Sequence, residues 1–167
     1  MELNSFNVAT FDQAQATLLE CCGSKSWAKE MSHRRPFDSL ESLFEQAKQI
    51  WIDLSEDDYL EAFSHHPRIG DIETLKKKFT QFANWSKEEQ GAAATASDNT
   101  IKLLAQRNDE YFEKFRFIFI VCASGKSADE MLAILESRLP NSRSEEIQIA
   151  GTEQQKITQI RLEKLFQ

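Results

Sequence analysis

Apolar residues recur three and four positions apart along most of the chain, and the interruptions fall where helix caps belong. Leu40, Leu43, Phe44, Ala47, Ile50, Trp51 and Leu54 form the clearest stripe, opened by Ser39. Before it, Thr10-Phe11-Asp12-Gln13 has capping-box spacing and opens a helix to Cys22, stopped by Gly23. Ser24 then caps a short helix around Trp27 and Met31. After the stripe, Ser55-Glu56-Asp57-Asp58 sets acids at the positive end of a helix that turns Tyr59, Leu60, Ala62 and Phe63 inward. Asp71 predicts a helix through Leu75 and Phe79, and Ser86 with Glu89 predicts a capping box heading a long helix to Phe115. Ser127 with Glu130 predicts a further box, leading into Met131, Leu132, Ile134, Leu135 and Leu139. Ser144-Glu145-Glu146 opens the last helix, whose inward face reads Ile147, Ala150, Gly151, Gln154, Ile157, Thr158, Arg161 and Leu165.

One stretch breaks the helical period. Phe115 to Val121 is β-branched and aromatic, and could be a buried strand or an extended crossing. With no second convincing strand to pair with, it predicts a short extended crossing near 116–122. The architecture expected is all-α, a single domain over 1–167 built as a bundle of about eight helices.

Composition narrows the function classes. At 167 residues the chain can bury a substantial core in one domain. With 20 basic against 27 acidic residues its net charge is −7, which repels phosphate backbones and anionic membranes, so neither nucleic acid nor membrane is an expected partner. Cys21, Cys22 and Cys122 are odd in number and lack metal-ligand spacing, and a disulfide between the adjacent pair would be strained. A reducing compartment fits that usage. The first residues lack the basic and apolar regions of a signal peptide, and the longest apolar run, Phe117 to Ala123, is too short to span a bilayer. The expectation is a cytoplasmic protein.

Chemistry concentrates at Ser64-His65-His66-Pro67-Arg68-Ile69-Gly70-Asp71, which holds two of the three histidines; His33 stands apart among basic residues. Pro67 biases His66 toward extended backbone, where neighbouring side chains point to opposite sides. One imidazole can then face a pocket, and His66 is the candidate; a helix ending in a turn with a solvated pair is the plain alternative. An imidazole with pKa near ~6.5 exchanges protons at neutral pH, and Glu89 is the carboxylate to orient it, although its capping position already explains it. Arg161 lies between Ile157 and Leu165 on an apolar face, which implies an anionic or carbonyl partner, or else a snorkelling arginine at the stripe's edge. Gln90 or Gln154 can bond urea-like or imide groups through donor and acceptor together. This set suits a small, nitrogen-rich anionic ligand and proton transfer.

Other chemistries find less support. Lys76-Lys77-Lys78 reads as a solvated face, and Gly125-Lys126-Ser127 lacks the earlier glycine of a phosphate-binding loop. No His-x-x-x-His or cysteine pair supplies metal ligands, and no nucleophile elbow is present. No metal is expected.

Over nearly its whole length the chain resembles the 2-oxo-4-hydroxy-4-carboxy-5-ureidoimidazoline (OHCU) decarboxylases of uric acid degradation. The matching stretches are Cys22-Gly23-Ser24 with Trp27-Ala28, Arg35-Pro36-Phe37, His66-Pro67-Arg68-Ile69-Gly70, Trp85-Ser86 with Glu89-Gln90, Tyr111 with Lys114-Phe115, Gly125-Lys126-Ser127-Ala128, and Thr152-Glu153-Gln154 with Lys156-Ile157 and Arg161-Leu162. The resemblance implies an all-helical, cofactor-free and often dimeric enzyme that converts the ureidoimidazoline to S-allantoin and carbon dioxide. It implies His66 and Glu89 as catalytic residues. Pro67, Ser86, Gln90, Arg161 and the run Phe117, Ile118, Phe119, Ile120 and Val121 are the implied substrate contacts. Where the family usually has Phe-Gly-Phe this chain reads Phe115-Arg116-Phe117. Arg116 is therefore expected to take an ordinary backbone conformation and point its side chain away. A binding module that keeps the fold without the chemistry, and a metal-dependent ureide hydrolase, are the competing readings.

Overall fold

A computed structural model describes residues 1–67 and 98–167. The helix expected from Asp71 and the capping box at Ser86 lie outside the described residues. The rest is all-α: eight helices and no strand among the described residues. They are α1 (Leu3–Val8), α2 (Phe11–Cys21), α3 (Lys25–His33), α4 (Leu40–Ile52), α5 (Glu56–Ser64), α6 (Asp98–Phe115), α7 (Ala128–Arg138) and α8 (Arg143–Leu165).

Most helix starts follow from caps three residues wide. The Thr10–Gln13, Ser55–Asp58 and Ser127–Glu130 pairs each close a reciprocal capping box, while Ser24 and Ser39 accept from the amides of Trp27 and Ser42. The last helix starts differently from its expectation. Ser142, not Ser144, opens α8, accepting from the Glu145 amide at 3.2 Å while its own N–H donates to Glu145 Oε2 at 2.8 Å. The buried face of α8 is also rotated. Ile147, Ala150, Gly151, Gln154, Thr158 and Leu162 are buried, whereas Ile157, Arg161 and Leu165 sit half-buried at its edge.

The described residues fall into two compact units, Met1–His66 with Ile147–Gln167, and Pro67–Glu146. In the first, Trp27 and Trp51 are buried with their indole N–H groups donating to Ala47 O (3.0 Å) and Gly151 O (2.9 Å). Glycine at 151 is what admits Tyr59: a Cβ there would lie 2.7 Å from Tyr59 Cε2. Helix α1 was not expected, because six residues cannot sustain a helix alone. It is held by distant partners. Arg35 Nη1 donates to Phe6 O (2.7 Å) and Ala9 O (2.8 Å) at its C-terminal end, and Asn7 brackets the Phe37 backbone with two 2.9 Å bonds. The Arg35-Pro36-Phe37 motif therefore has a structural task.

In the second unit α6 packs on α7, and the chain between them bends at Phe117 and continues through Ile118–Val121 without strand pairing. Arg116, which ends α6, corrects an expectation. It does not take an ordinary conformation: its φ is +63°, in the left-handed region, while its N–H bonds Phe112 O at 2.9 Å. This is a helix C-cap of the kind glycine adopts without steric cost. The side chain does point outward, to a solvent-exposed Glu113 at 3.6 Å. Since left-handed backbone costs a non-glycine residue about 1 kcal/mol and an exposed ion pair contributes little, Arg116→Gly is expected to stabilise the protein by about 1 kcal/mol. Equilibrium urea unfolding checks this; an unchanged or lower midpoint would refute it.

Candidate active site

The candidate site begins where α5 stops. His65 closes that helix in the right-handed region (φ −80°, ψ −7°), its N–H bonding Ala62 O at 3.2 Å, and the His66 N–H bonds Phe63 O at 3.1 Å. The two imidazoles diverge, but the cause is a helix-end turn rather than the alternation of extended backbone. His65 is exposed and lies on Gly23, where a Cβ would come within 2.5 Å of its Cγ. Any side chain at position 23 would displace that ring. His66 is half-buried and turned to α8, with Nε2 2.5 Å from Gln154 Oε1. Pro67 follows, exposed.

Gln154 was read as a group able to bond a ligand, and the structure gives it another occupation. It is fully buried, its Oε1 is engaged by His66, and its Nε2 donates to Thr158 Oγ1 at 3.2 Å. Buried Cys22 has the Thr158 side chain and the Ser24 backbone as neighbouring polar groups. Burial pushes the thiols of Cys21 and Cys22 up to about 11, against smaller opposing contributions from neighbouring donors and Arg161. Both stay protonated at neutral pH, so neither is a ready nucleophile.

Arg161 lies seven residues beyond Gln154, two turns or about 10 Å along the same helix side. It is half-buried, and its Nη1 donates to Cys21 O at 3.2 Å, at the C-terminal end of α2. The carbonyl partner expected for an arginine at this position is thus present, and it orients the guanidinium. His66, Gln154 and Arg161 all belong to the first unit and are linked through α8, α2 and the end of α5.

The Phe117–Val121 run belongs to the second unit. Phe117, Phe119 and Ile120 are buried, and Ile118 and Val121 are half-buried. What holds this backbone is a buried ion pair that the sequence reading missed. Arg138 donates from Nη2 to Glu146 Oε2 at 2.8 Å, from Nε to the same carboxylate at 3.0 Å, and from Nη1 to Ile120 O at 2.7 Å. Its guanidinium stacks over Phe119, 4.6 Å from the ring centroid. Glu146 also accepts from Tyr111 Oη and, at 3.0 Å, from Asn141 Nδ2. Burial, reinforced by that bond to Glu146, pushes the Tyr111 hydroxyl far above its ordinary range, so it remains a donor. Tyr111 carries the resemblance, but Arg138 had only a place in the last turn of α7 and Glu146 only one in the first turn of α8. No local spacing announces their partnership.

Ser86, Glu89 and Gln90 lie outside the described residues. No described helix is long and apolar enough to cross a membrane.

Comparison with known proteins follows the same lines. The family model described as OHCU decarboxylase matches residues 7–163. Over 148 residues the chain is 44% identical to the uric acid degradation bifunctional protein TTL of Arabidopsis thaliana, covering 87% of this chain and 45% of that one. Over 143 residues it is 32% identical to the 2-oxo-4-hydroxy-4-carboxy-5-ureidoimidazoline decarboxylase of Halalkalicoccus jeotgali, covering 83% and 76%. The chain spans less than half the length of the bifunctional relatives it matches. Among solved structures, an OHCU decarboxylase crystallised in the presence of (S)-allantoin superposes with a TM-score of 0.71 at 40% identity, covering 89% of this chain and 95% of that one.

Proposed function

The chain belongs to the OHCU decarboxylase family, and from that premise we propose that it catalyses the decarboxylation of 2-oxo-4-hydroxy-4-carboxy-5-ureidoimidazoline to S-allantoin and carbon dioxide in urate catabolism. The family match spans both compact units, which supports reading 1–167 as one catalytic domain. The observation that carries the chemistry is His66, a half-buried imidazole bonded to a fully buried amide, with an anchored arginine two turns further along the same helix.

The substrate's name places its hydroxyl and carboxyl on one ring carbon, with the ureido group on the next. When the bond to the carboxylate breaks, the electron pair left on carbon enters the adjacent ring imine, whose nitrogen takes up a proton, so no cofactor is needed to hold it. The hydroxyl then gives up its proton to become the ring carbonyl, and a proton is added to the ureido-bearing carbon. Addition from one face produces one enantiomer. His66 handles the hydroxyl proton or delivers the proton to one face, with Glu89 as the carboxylate that stabilises its charged form. Arg161 and Gln90 stabilise the developing enolate-like charge; an arginine acting on the departing carboxylate alone would stabilise the ground state instead. Ser86, Pro67 and the backbone of Phe117–Val121 complete the proposed substrate contacts. All three cysteines are buried and none is in a disulfide, which supports a reducing, cytoplasmic setting. The family's usual homodimer is part of the same proposal, checked by sedimentation.

The test generates the ureidoimidazoline in situ from urate and follows allantoin chirality by circular dichroism. The uncatalysed reaction has no chiral director and gives racemate. An enantiomeric excess that scales with protein and persists with a chelator supports a metal-independent decarboxylase. Racemate at every protein concentration would leave the binding-module reading; activity lost on chelation would favour metal chemistry.

A further inference from the structure

Gln154 is a fully buried amide on a helix face that is otherwise mostly apolar. Its two bonds have a direction. A carboxamide has one accepting and one donating end, and here Oε1 faces His66 Nε2 at 2.5 Å while Nε2 faces Thr158 Oγ1 at 3.2 Å. The Thr158 hydroxyl accepts from Gln154 Nε2, which leaves Gln154 Oε1 as the acceptor toward His66. A separation of 2.5 Å between that carbonyl and a ring nitrogen requires a hydrogen between them. The polarity runs His66 Nε2–H to Gln154 Oε1 and Gln154 Nε2–H to Thr158 Oγ1.

We propose that Gln154 is a positioning residue that holds His66 with its proton on Nε2, so that His66 exchanges protons with the substrate through Nδ1, while Thr158 fixes the amide's direction by accepting from Gln154 Nε2. The two nitrogens of imidazole lie on different sides of the ring, so choosing the tautomer also chooses which ring edge meets the reacting group. In this arrangement the neutral ring has its lone pair on Nδ1 whenever it acts as base, and no reorientation precedes proton transfer. The proposal rests on His66 being the proton-transfer residue.

Ring-nitrogen spectroscopy on ¹⁵N-labelled protein tests it without turnover. Above the ring's pKa, wild-type His66 is expected to show a pyrrole-type Nε2 and a pyridine-type Nδ1, as one tautomer. In Gln154→Leu the shifts should move toward a mixture, with kcat falling about 10- to 100-fold and KM little changed. Gln154→Glu keeps an acceptor at Nε2 and should retain the proton there. Thr158→Val removes only the hydroxyl that directs the amide, so it serves with little change in volume if the leucine variant folds poorly; it too should give mixed shifts. A wild-type ring with its proton on Nδ1 would overturn the proposal, as would unchanged shifts and unchanged kcat in both variants. If the decarboxylation assay fails while the spectra behave as expected, it is the proposed reaction that falls, not the role of Gln154 in setting the tautomer.

Discussion

His66→Ala is expected to lower kcat for S-allantoin formation by about 10²–10⁴-fold, the range over which a positioned proton-transfer group accelerates a reaction, leaving turnover near the uncatalysed, racemic background. The fold should survive. His66 is a half-buried residue following the last turn of α5, and Ser55, which caps that helix, is untouched. The local cost is the buried Gln154 carbonyl losing its donor, about 1–3 kcal/mol. Helical circular dichroism should therefore match wild type, with a modestly lower melting temperature. An enantiomeric excess that persists at the wild-type rate would sink the assignment of His66. The neighbouring His65→Ala provides the contrast: its ring lies on Gly23 and is exposed, so its loss should leave kcat within a few-fold.

The largest effect on stability is expected at the opposite kind of site. Glu146→Ala removes the carboxylate that accepts two Arg138 donors, Tyr111 Oη and Asn141 Nδ2. Arg138 is 5% exposed and Glu146 0%, so the guanidinium would be left charged and nearly dry. Breaking a buried pair from one side costs about 3–5 kcal/mol, a large share of the ~5–15 kcal/mol that holds a domain together. Urea unfolding should show a much lower midpoint. Removing both charges is expected to be milder: Arg138→Met with Glu146→Leu leaves no uncompensated ion, and should recover a good part of the loss. A double variant no more stable than Glu146→Ala would mean that the bond from Arg138 to the Ile120 carbonyl, rather than the ion pair, dominates. That bond also ties this pair to the Phe117–Val121 segment, so Glu146→Ala should depress activity even where the protein remains folded.

The helix starts were legible because the interactions that set them are local. A serine or threonine at a cap meets an amide three residues on, and the caps at Thr10, Ser24, Ser39, Ser55 and Ser127 stand where spacing predicts them. That the run after Phe115 joins two helices without forming a strand was legible for a related reason, since a β-branched and aromatic run with no partner strand has no sheet to enter. At the last helix the local signal was present and passed over: Ser142 has Glu145 three residues on, the capping-box spacing, where Ser144 has Ile147, and the acids directly after Ser144 drew the reading to it.

The sequence by itself determined an all-α chain, most of its helix boundaries, the acidic character of the protein, and, through its motifs, the family to which it belongs. Tertiary structure alone decided which side chains occupy each other. Helix α1 exists because Arg35 and Asn7 reach across about thirty residues, Arg116 is left-handed because α6 must turn there into the crossing, and His66 rather than His65 meets α8 because of how α5 ends. The partnership of Arg138 with Glu146 and that of Gln154 with His66 follow the same rule. Their worth depends on exclusion from water, and burial is a property of residues far apart in the chain, which no local pattern encodes.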